Sequence, residues 1–147
     1  MLGVPRKTAM DKLFLVAGCA VFVVLGMLHF WLTMFTNKFE ARDSRLTAEM
    51  TRVSPILTSR TSMWKAWIGF NISHSLGAIV FGLVYIIIAL ENYDYLKTST
   101  SLSVLLLIVP LILLMLAVRY WFDRPRNGVI VGFGLIIVSL ILRMIPQ

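Results

Sequence analysis

The chain has 147 residues, of which 59% are hydrophobic and only 14% are charged, and its mean hydropathy is +0.85. A water-soluble domain of this size cannot hide so much apolar surface, because small domains bury a limited fraction of their area. The net charge of +7 favours contact with anionic lipid headgroups over nucleic acid, because the basic residues flank apolar runs. The single cysteine, Cys19, excludes an internal disulfide and paired-thiol redox chemistry.

Four apolar segments are long enough to cross a bilayer, which takes about 20 helical residues. They define a single membrane domain over residues 1–147, with spans at about 13–35, 66–90, 102–122 and 128–145. The first segment follows basic residues, as the core of a signal peptide does. It is too long for such a core and no small-residue cleavage site follows, so we expect a retained helix. The expected fold is all-α, an integral membrane bundle of four transmembrane helices.

The connections between the spans differ in length. The first, residues 36–63, carries arginines and three apolar residues that share one side of a helix: Leu46, Met50 and Val53. This pattern predicts a short amphipathic helix on the membrane surface, with an irregular loop as the alternative. The second connection is a polar stretch over residues 91–100, and the third is a tight turn over residues 123–127. Short connections predict antiparallel neighbours.

Small residues at four-residue spacing occur in two of the spans. They are Gly69, Ser73 and Gly77 in the second span, and Gly128 and Gly132 in the fourth. Such spacing lets helices approach closely inside a membrane. We therefore expect both stretches to pack against other helices.

Two histidines lie inside spans, near the same predicted membrane face. His29 comes six residues before the end of the first span, about 9 Å deep. His74 comes eight residues after the start of the second, about 12 Å deep. Ionisable residues inside a span are costly and usually face the bundle interior. Seven residues near this face are candidates for ligand contact: His29, Thr33, Trp67, Asn71, Ser73, His74 and Arg119.

Three interpretations of the histidines remain open. In the first, they are structural and hydrogen-bond across helices. In the second, they line a pocket for a quinone, a lipid or another amphipathic molecule, with Arg119 beside an anionic headgroup. In the third, they are the two axial ligands of a b-type haem, since imidazole is a standard haem ligand. The sequence does not decide whether the chain binds a cofactor, and apart from the haem iron of the third interpretation it predicts no metal site.

No catalytic residue is predicted, and we expect the chain to be non-enzymatic. The acidic residues sit at or beyond the ends of the spans, so the intramembrane carboxylate of a proton-coupled transporter is missing. The sequence also contains no His-Glu-x-x-His zinc motif, no nucleophilic serine motif and no glycine-rich phosphate loop.

Three stretches of the chain resemble an uncharacterised family of small bacterial four-helix membrane proteins. They are residues 64–77 (WKAWIGFNISHSLG), 26–29 (GMLH) and 119–123 (RYWFD). The most distinctive pattern, W-x-G-F-N-x-S-H-S-x-G, runs from Trp67 to Gly77. The resemblance implies the cytoplasmic membrane of a bacterium, and it implies no activity.

The sequence thus favours a non-enzymatic accessory or assembly subunit of a larger membrane complex, or a binder of a lipid or quinone. Its expected partners are membrane lipids and either another membrane protein or further copies of the chain, and not nucleic acid. The alternative is an electron-transfer protein that binds haem b or a quinone through His29 and His74. A small oligomeric transporter is a third hypothesis.

Overall fold

The computed structural model describes residues 6–145, with side chains described from residue 9 onward, so the predicted domain ends at residues 1 and 147 lie outside it. All regular structure in this part of the chain is helical. Six helices follow one another: α1 (Arg6–Phe35), α2 (Ser44–Arg52), α3 (Met63–Glu91), α4 (Tyr93–Thr98), α5 (Thr100–Tyr120) and α6 (Asp123–Met144). Four stretches are long and apolar enough to cross a membrane: Ala9–Phe35, Met63–Glu91, Thr100–Tyr120 and Asp123–Met144. The predicted all-α fold with four membrane spans is confirmed, and the chain is an integral membrane protein.

Two connections are more helical than the sequence predicts. Residues 123–127, expected to form a turn, are the start of α6. Pro125 is tolerated there because the N–H it lacks would have no partner in the first helical turn. In the second connection, the side chain of Asn92 accepts a hydrogen bond from the Tyr95 N–H at 3.1 Å and so caps a further short helix, α4. The third span ends at Tyr120 rather than at residue 122.

The amphipathic helix predicted in the first connection is present as α2. Asp43 caps it, because its carboxylate accepts a hydrogen bond from the Arg45 N–H at 2.9 Å. No residue of α2 is fully buried: Leu46 is 53% exposed and Met50 is half-buried. Ile56 and Leu57, in the loop that follows, are almost fully exposed. A partly exposed apolar side next to exposed aliphatic residues suits a helix at the lipid surface.

The described chain divides into two compact units. The first unit runs up to residue 25 and resumes at residue 79, and the second unit comprises residues 26–78. The helices α1 and α3 therefore contribute to both units. That the two units fold as the single domain expected from the sequence stays a prediction.

Glycines let helices of the first unit approach one another closely. A Cβ on Gly82 of α3 would lie 2.5 Å from the Cys19 carbonyl oxygen of α1. A Cβ on Gly18 of α1 would lie 2.8 Å from the Gly132 carbonyl oxygen of α6. A Cβ on Gly128 of α6 would lie 2.8 Å from the side chain of Leu25 in α1. The close packing predicted at Gly128 and Gly132 is therefore present.

The core of the first unit is apolar, with two tyrosines among its members. Its buried residues are Leu15, Cys19, Phe22, Tyr85, Ala89, Tyr93, Leu96, Leu106, Val129 and Ile136. Phe22 and Phe81 pack edge to face, with ring centroids 5.4 Å apart. The Tyr85 hydroxyl donates a 2.8 Å hydrogen bond to the Leu102 carbonyl oxygen of α5. That bond joins α3 to α5.

Candidate functional site

The second unit brings three of the candidate residues into one polar group, the histidine cluster, formed by His29 of α1 with Asn71 and His74 of α3. The rings of His29 and His74 meet edge to face, with centroids 5.5 Å apart and planes at 83°. Nε2 of His29 lies 3.1 Å from Oδ1 of Asn71. His29 is six residues from the end of α1 and His74 eleven from the start of α3, or about 9 and 16 Å along the helices. Both imidazoles thus lie well inside membrane spans.

The hydrogen bonds of Asn71 fix the proton on His29. The amide nitrogen Nδ2 of Asn71 donates to the Trp67 carbonyl oxygen at 2.8 Å, so the amide oxygen is the atom that faces His29. An amide oxygen only accepts, and Nε2 of His29 is therefore the donor. In a neutral imidazole the proton on Nε2 leaves a lone pair on Nδ1. His29 is held in one tautomer and one orientation.

Phe39, which the sequence does not single out, covers the histidine cluster. Its ring meets the ring of His29 edge-on, with centroids 4.6 Å apart. Its carbonyl oxygen accepts a hydrogen bond from the indole N–H of Trp67 at 3.3 Å. The segment after α1 therefore folds back and presents an aromatic side chain to His29. No periodic pattern indicates this, because Phe39 lies in an irregular loop.

Two other candidates use their hydroxyls within their own helices. Thr33 is buried and donates to the His29 carbonyl oxygen at 2.8 Å. Ser73 is exposed and donates to the Gly69 carbonyl oxygen, also at 2.8 Å. Such bonds are a common way for serine and threonine to be satisfied inside a helix. This geometry gives no support to Thr33 or Ser73 as ligand contacts.

Arg119 belongs to the first unit. It is exposed near the end of α5, where its guanidinium carbon lies 6.0 Å from the centroid of the Tyr120 ring. A cation over an exposed aromatic ring gains little, so this contact leaves Arg119 available to solvent and headgroups.

Beside the histidine cluster, α3 presents an open apolar surface. Cβ atoms added to Gly69 or Gly77 would meet nothing within 4 Å. The close helix packing predicted at these two glycines is therefore wrong for the described chain, because no other helix reaches this side of α3. Phe70, which is 76% exposed, and Gly77 lie one helical turn on either side of the exposed His74. The result is a flat, accessible surface with one imidazole in its middle.

The geometry of the cluster suits hydrogen bonding better than haem ligation. The rings of His29 and His74 meet edge to face with their centroids 5.5 Å apart, so no gap between them could hold a macrocycle. Nε2 of His29 is already bonded to Asn71. The cluster offers instead an oriented imidazole, a second and more accessible imidazole, and aromatic neighbours. Such a set can bind a carbonyl or hydroxyl group on a flat or amphipathic molecule.

No family model, no curated protein and no solved structure matches the chain. The resemblance carried by residues 64–77 stays a prediction.

Proposed function

We propose that this chain is a non-enzymatic protein of the bacterial cytoplasmic membrane that binds a quinone or a lipid at the histidine cluster. The observation that carries the proposal is the contact between His29 and His74 inside membrane spans, with His29 oriented by Asn71. Histidines at this depth are costly to place, and they commonly mark a ligand or an ion pathway. The family resemblance of residues 64–77 supports the bacterial membrane.

The surroundings of His74 support a ligand over packing alone. His74 is exposed, so a molecule dissolved in the bilayer can reach it. Phe70 and Gly77 extend an apolar surface to either side, with room for a flat ring above the glycine. Ligand sites of this kind combine apolar walls with a few placed polar groups. A quinone carbonyl or a lipid ester carbonyl would accept a hydrogen bond from the His74 imidazole.

A role as an accessory subunit or oligomer is supported by the same open side of α3. Gly69 and Gly77, at eight-residue separation, would let a second helix approach closely. In affinity purification from native membranes, Gly69→Leu and Gly77→Leu should lower recovery of a stoichiometric partner. Gly134→Leu is the matched control, because Gly134 is another open helical glycine. Equal recovery with all three variants would contradict this role.

The test of ligand binding is a direct analysis of what the purified protein carries. The protein is isolated in a mild detergent and extracted with organic solvent, and quinones and lipids are quantified by mass spectrometry. His74→Phe keeps a ring of similar size and removes the hydrogen bond. The bound ligand per chain should fall about tenfold, the loss expected when a polar ligand group is left unpaired. Ser73→Ala is the control, since its hydroxyl bonds only to its own helix.

Each outcome is informative. A ligand that is retained in Ser73→Ala and lost in His74→Phe supports the proposal and names the molecule. Equal ligand content in wild type and His74→Phe contradicts it and leaves the histidines with a structural role. An absorption spectrum of the same sample provides the third outcome. A Soret band that is lost in both His29→Ala and His74→Ala would replace the proposal with the b-type cytochrome.

A further inference from the structure

The first unit contains a second polar group, which we name the Tyr93 cluster and which consists of Asp11, Lys12, Tyr93, Lys97 and Arg143. Three cations share one aromatic ring: the distances to the Tyr93 centroid are 5.2 Å for Arg143 Cζ, 5.3 Å for Lys97 Nζ and 5.8 Å for Lys12 Nζ. Tyr93 itself is only 8% exposed. The cluster lies where α1 begins and α6 ends, with α4 between them in the chain.

The guanidinium of Arg143 lacks acceptors. Its three nitrogens, Nε, Nη1 and Nη2, are buried and have no hydrogen-bond partner. The contact of Cζ with the Tyr93 ring is a cation–π contact, which supplies no hydrogen-bond acceptor to these N–H groups. Buried N–H donors of a charged group are costly unless an acceptor is present, and nearly all such groups in folded proteins have one. The cluster is therefore short of a negatively charged acceptor.

The one carboxylate of the cluster, that of Asp11, does not fill this need. Asp11 is 4% exposed, and its carboxylate accepts a hydrogen bond from the Lys12 backbone N–H at 2.6 Å. The ion pairs of the described chain do not include Asp11, and the pair formed by Lys97 is with Asp94, at 2.8 Å. Lys97 is thus paired with a carboxylate outside the cluster, and Lys12 and Arg143 share the single carboxylate of Asp11, which leaves one positive charge unbalanced.

The Tyr93 hydroxyl is a further buried donor, and it lies beside Asp11 and Arg143. It forms no hydrogen bond of good geometry with either of them. Burial, helped by the Asp11 carboxylate and opposed by the Arg143 charge, raises the pKa of Tyr93 to about 12, so the phenol keeps its proton at neutral pH. A protonated phenol beside a guanidinium gives two kinds of donor that an anionic oxygen can use together.

We propose that the Tyr93 cluster binds an anionic phosphate group at the membrane surface, with Arg143 as the principal donor and Tyr93, Lys12 and Lys97 as supporting groups. A guanidinium presents paired N–H groups that match two phosphate oxygens, which a single ammonium does not. The start of α1 and the end of α6 are the ends of helices long enough to cross a membrane, and lipid phosphates lie at the level of such helix ends. The anion comes from a lipid headgroup or from free phosphate in the water. This site is separate from the histidine cluster and does not depend on its function.

The experiment is a native mass-spectrometric titration of the full-length protein in detergent. Phosphatidylglycerol, phosphatidylcholine and inorganic phosphate are the three probes. Arg143→Met keeps much of the side-chain length and removes the charge, and it should weaken phosphatidylglycerol binding about tenfold. Arg143→Lys should recover only part of the affinity, because an ammonium lacks the paired donors. Arg119→Met is the matched control, since it removes an exposed arginine from the same unit.

The probes distinguish the sources of the anion. Preference for phosphatidylglycerol with no competition by inorganic phosphate supports a lipid site, and competition by millimolar phosphate supports a site for the free ion. Unchanged affinity in a folded Arg143→Met protein overturns the proposal, as does an equal loss in Arg119→Met. If circular dichroism shows that Arg143→Met is unfolded, Lys12→Met takes its place under the same criteria.

Discussion

Gly82 offers the sharpest test of how the first unit is packed. Its Cβ position lies 2.5 Å from the backbone oxygen of Cys19 and 2.6 Å from a methyl group of Val23. A backbone oxygen cannot rotate out of the way, so Gly82→Ala must push α1 and α3 apart. Gly77→Ala, five residues earlier in the same helix, meets nothing within 4 Å. The two substitutions make the same chemical change in one helix and differ in what surrounds the added methyl group.

The expected magnitude follows from two terms. Replacing a helical glycine by alanine stabilises a helix by about 0.5–1 kcal/mol, and both variants receive this gain. Overpacking a close contact costs about 1–3 kcal/mol, and only Gly82→Ala carries that cost. Gly77→Ala should therefore equal or exceed the wild type in stability. Gly82→Ala should be less stable than Gly77→Ala by about 1–3 kcal/mol.

The assay is reversible unfolding in mixed micelles, with circular dichroism followed as the fraction of sodium dodecyl sulfate rises. Gly18→Ala should resemble Gly82→Ala, because its Cβ would also meet a backbone oxygen, that of Gly132, at 2.8 Å. Gly132→Ala should cost less, because its nearest neighbour is the flexible end of the Phe22 side chain at 3.0 Å. Equal stability of Gly82→Ala and Gly77→Ala would refute the close approach of α1 and α3.

Three further predictions concern single hydrogen bonds and one ion pair. Tyr85→Phe removes the bond to the Leu102 carbonyl and should lower the free energy of unfolding by about 0.5–1 kcal/mol in the same micelle assay; an unchanged value would mean that the bond contributes nothing. Asp43→Ala removes the cap of α2 and should lower the hydrogen-exchange protection of that helix by about fivefold, since a cap contributes about 1 kcal/mol, while protection of the membrane spans stays the same. The hydrogen bond and charge of Arg52 lower the pKa of Glu49 in the folded helix, so this pair stabilises α2 above the ordinary carboxylate pKa and loses its effect as the pH falls through the lowered value. Protection of α2, corrected for intrinsic exchange, should thus decrease in wild type as the pH falls below the ordinary pKa of a glutamate. A similar decrease in Glu49→Gln would show that another group is responsible.

The four membrane spans could be predicted because the length and hydropathy of an apolar segment are enough to identify a transmembrane helix. Residues 66–90 and 102–122, for example, are apolar over a full bilayer thickness, and helices fill both with shifts of a few residues at their ends. The ends were harder, since capping is local chemistry. Asn92 and Pro125 look like loop residues in the sequence, but one caps a helix and the other lies in a first turn.

The two polar clusters differ in how visible they are from sequence. His29 and His74 stand out because ionisable residues are rare inside spans, and antiparallel threading of the two predicted spans places both of them towards one membrane face. Phe39 and the Tyr93 cluster could not be found in this way. Asp11 and Arg143 lie near helix ends, where charged residues are common in any membrane protein. Only the tertiary structure shows that Asp11 is 4% exposed and that the guanidinium nitrogens of Arg143 are buried.

The burial of Cys19 makes the chain convenient for chemical labelling. Its thiol is the only one in the sequence, and it is fully enclosed where α1 passes Gly82. A maleimide added to the folded protein should leave it unmodified, so cysteines introduced at exposed sites such as Asn127 would label without first removing the native one. The orientation of each loop in intact cells could then be mapped directly. The Cys19 thiol can react only when the first unit opens, so its rate of modification would report the rate of that opening.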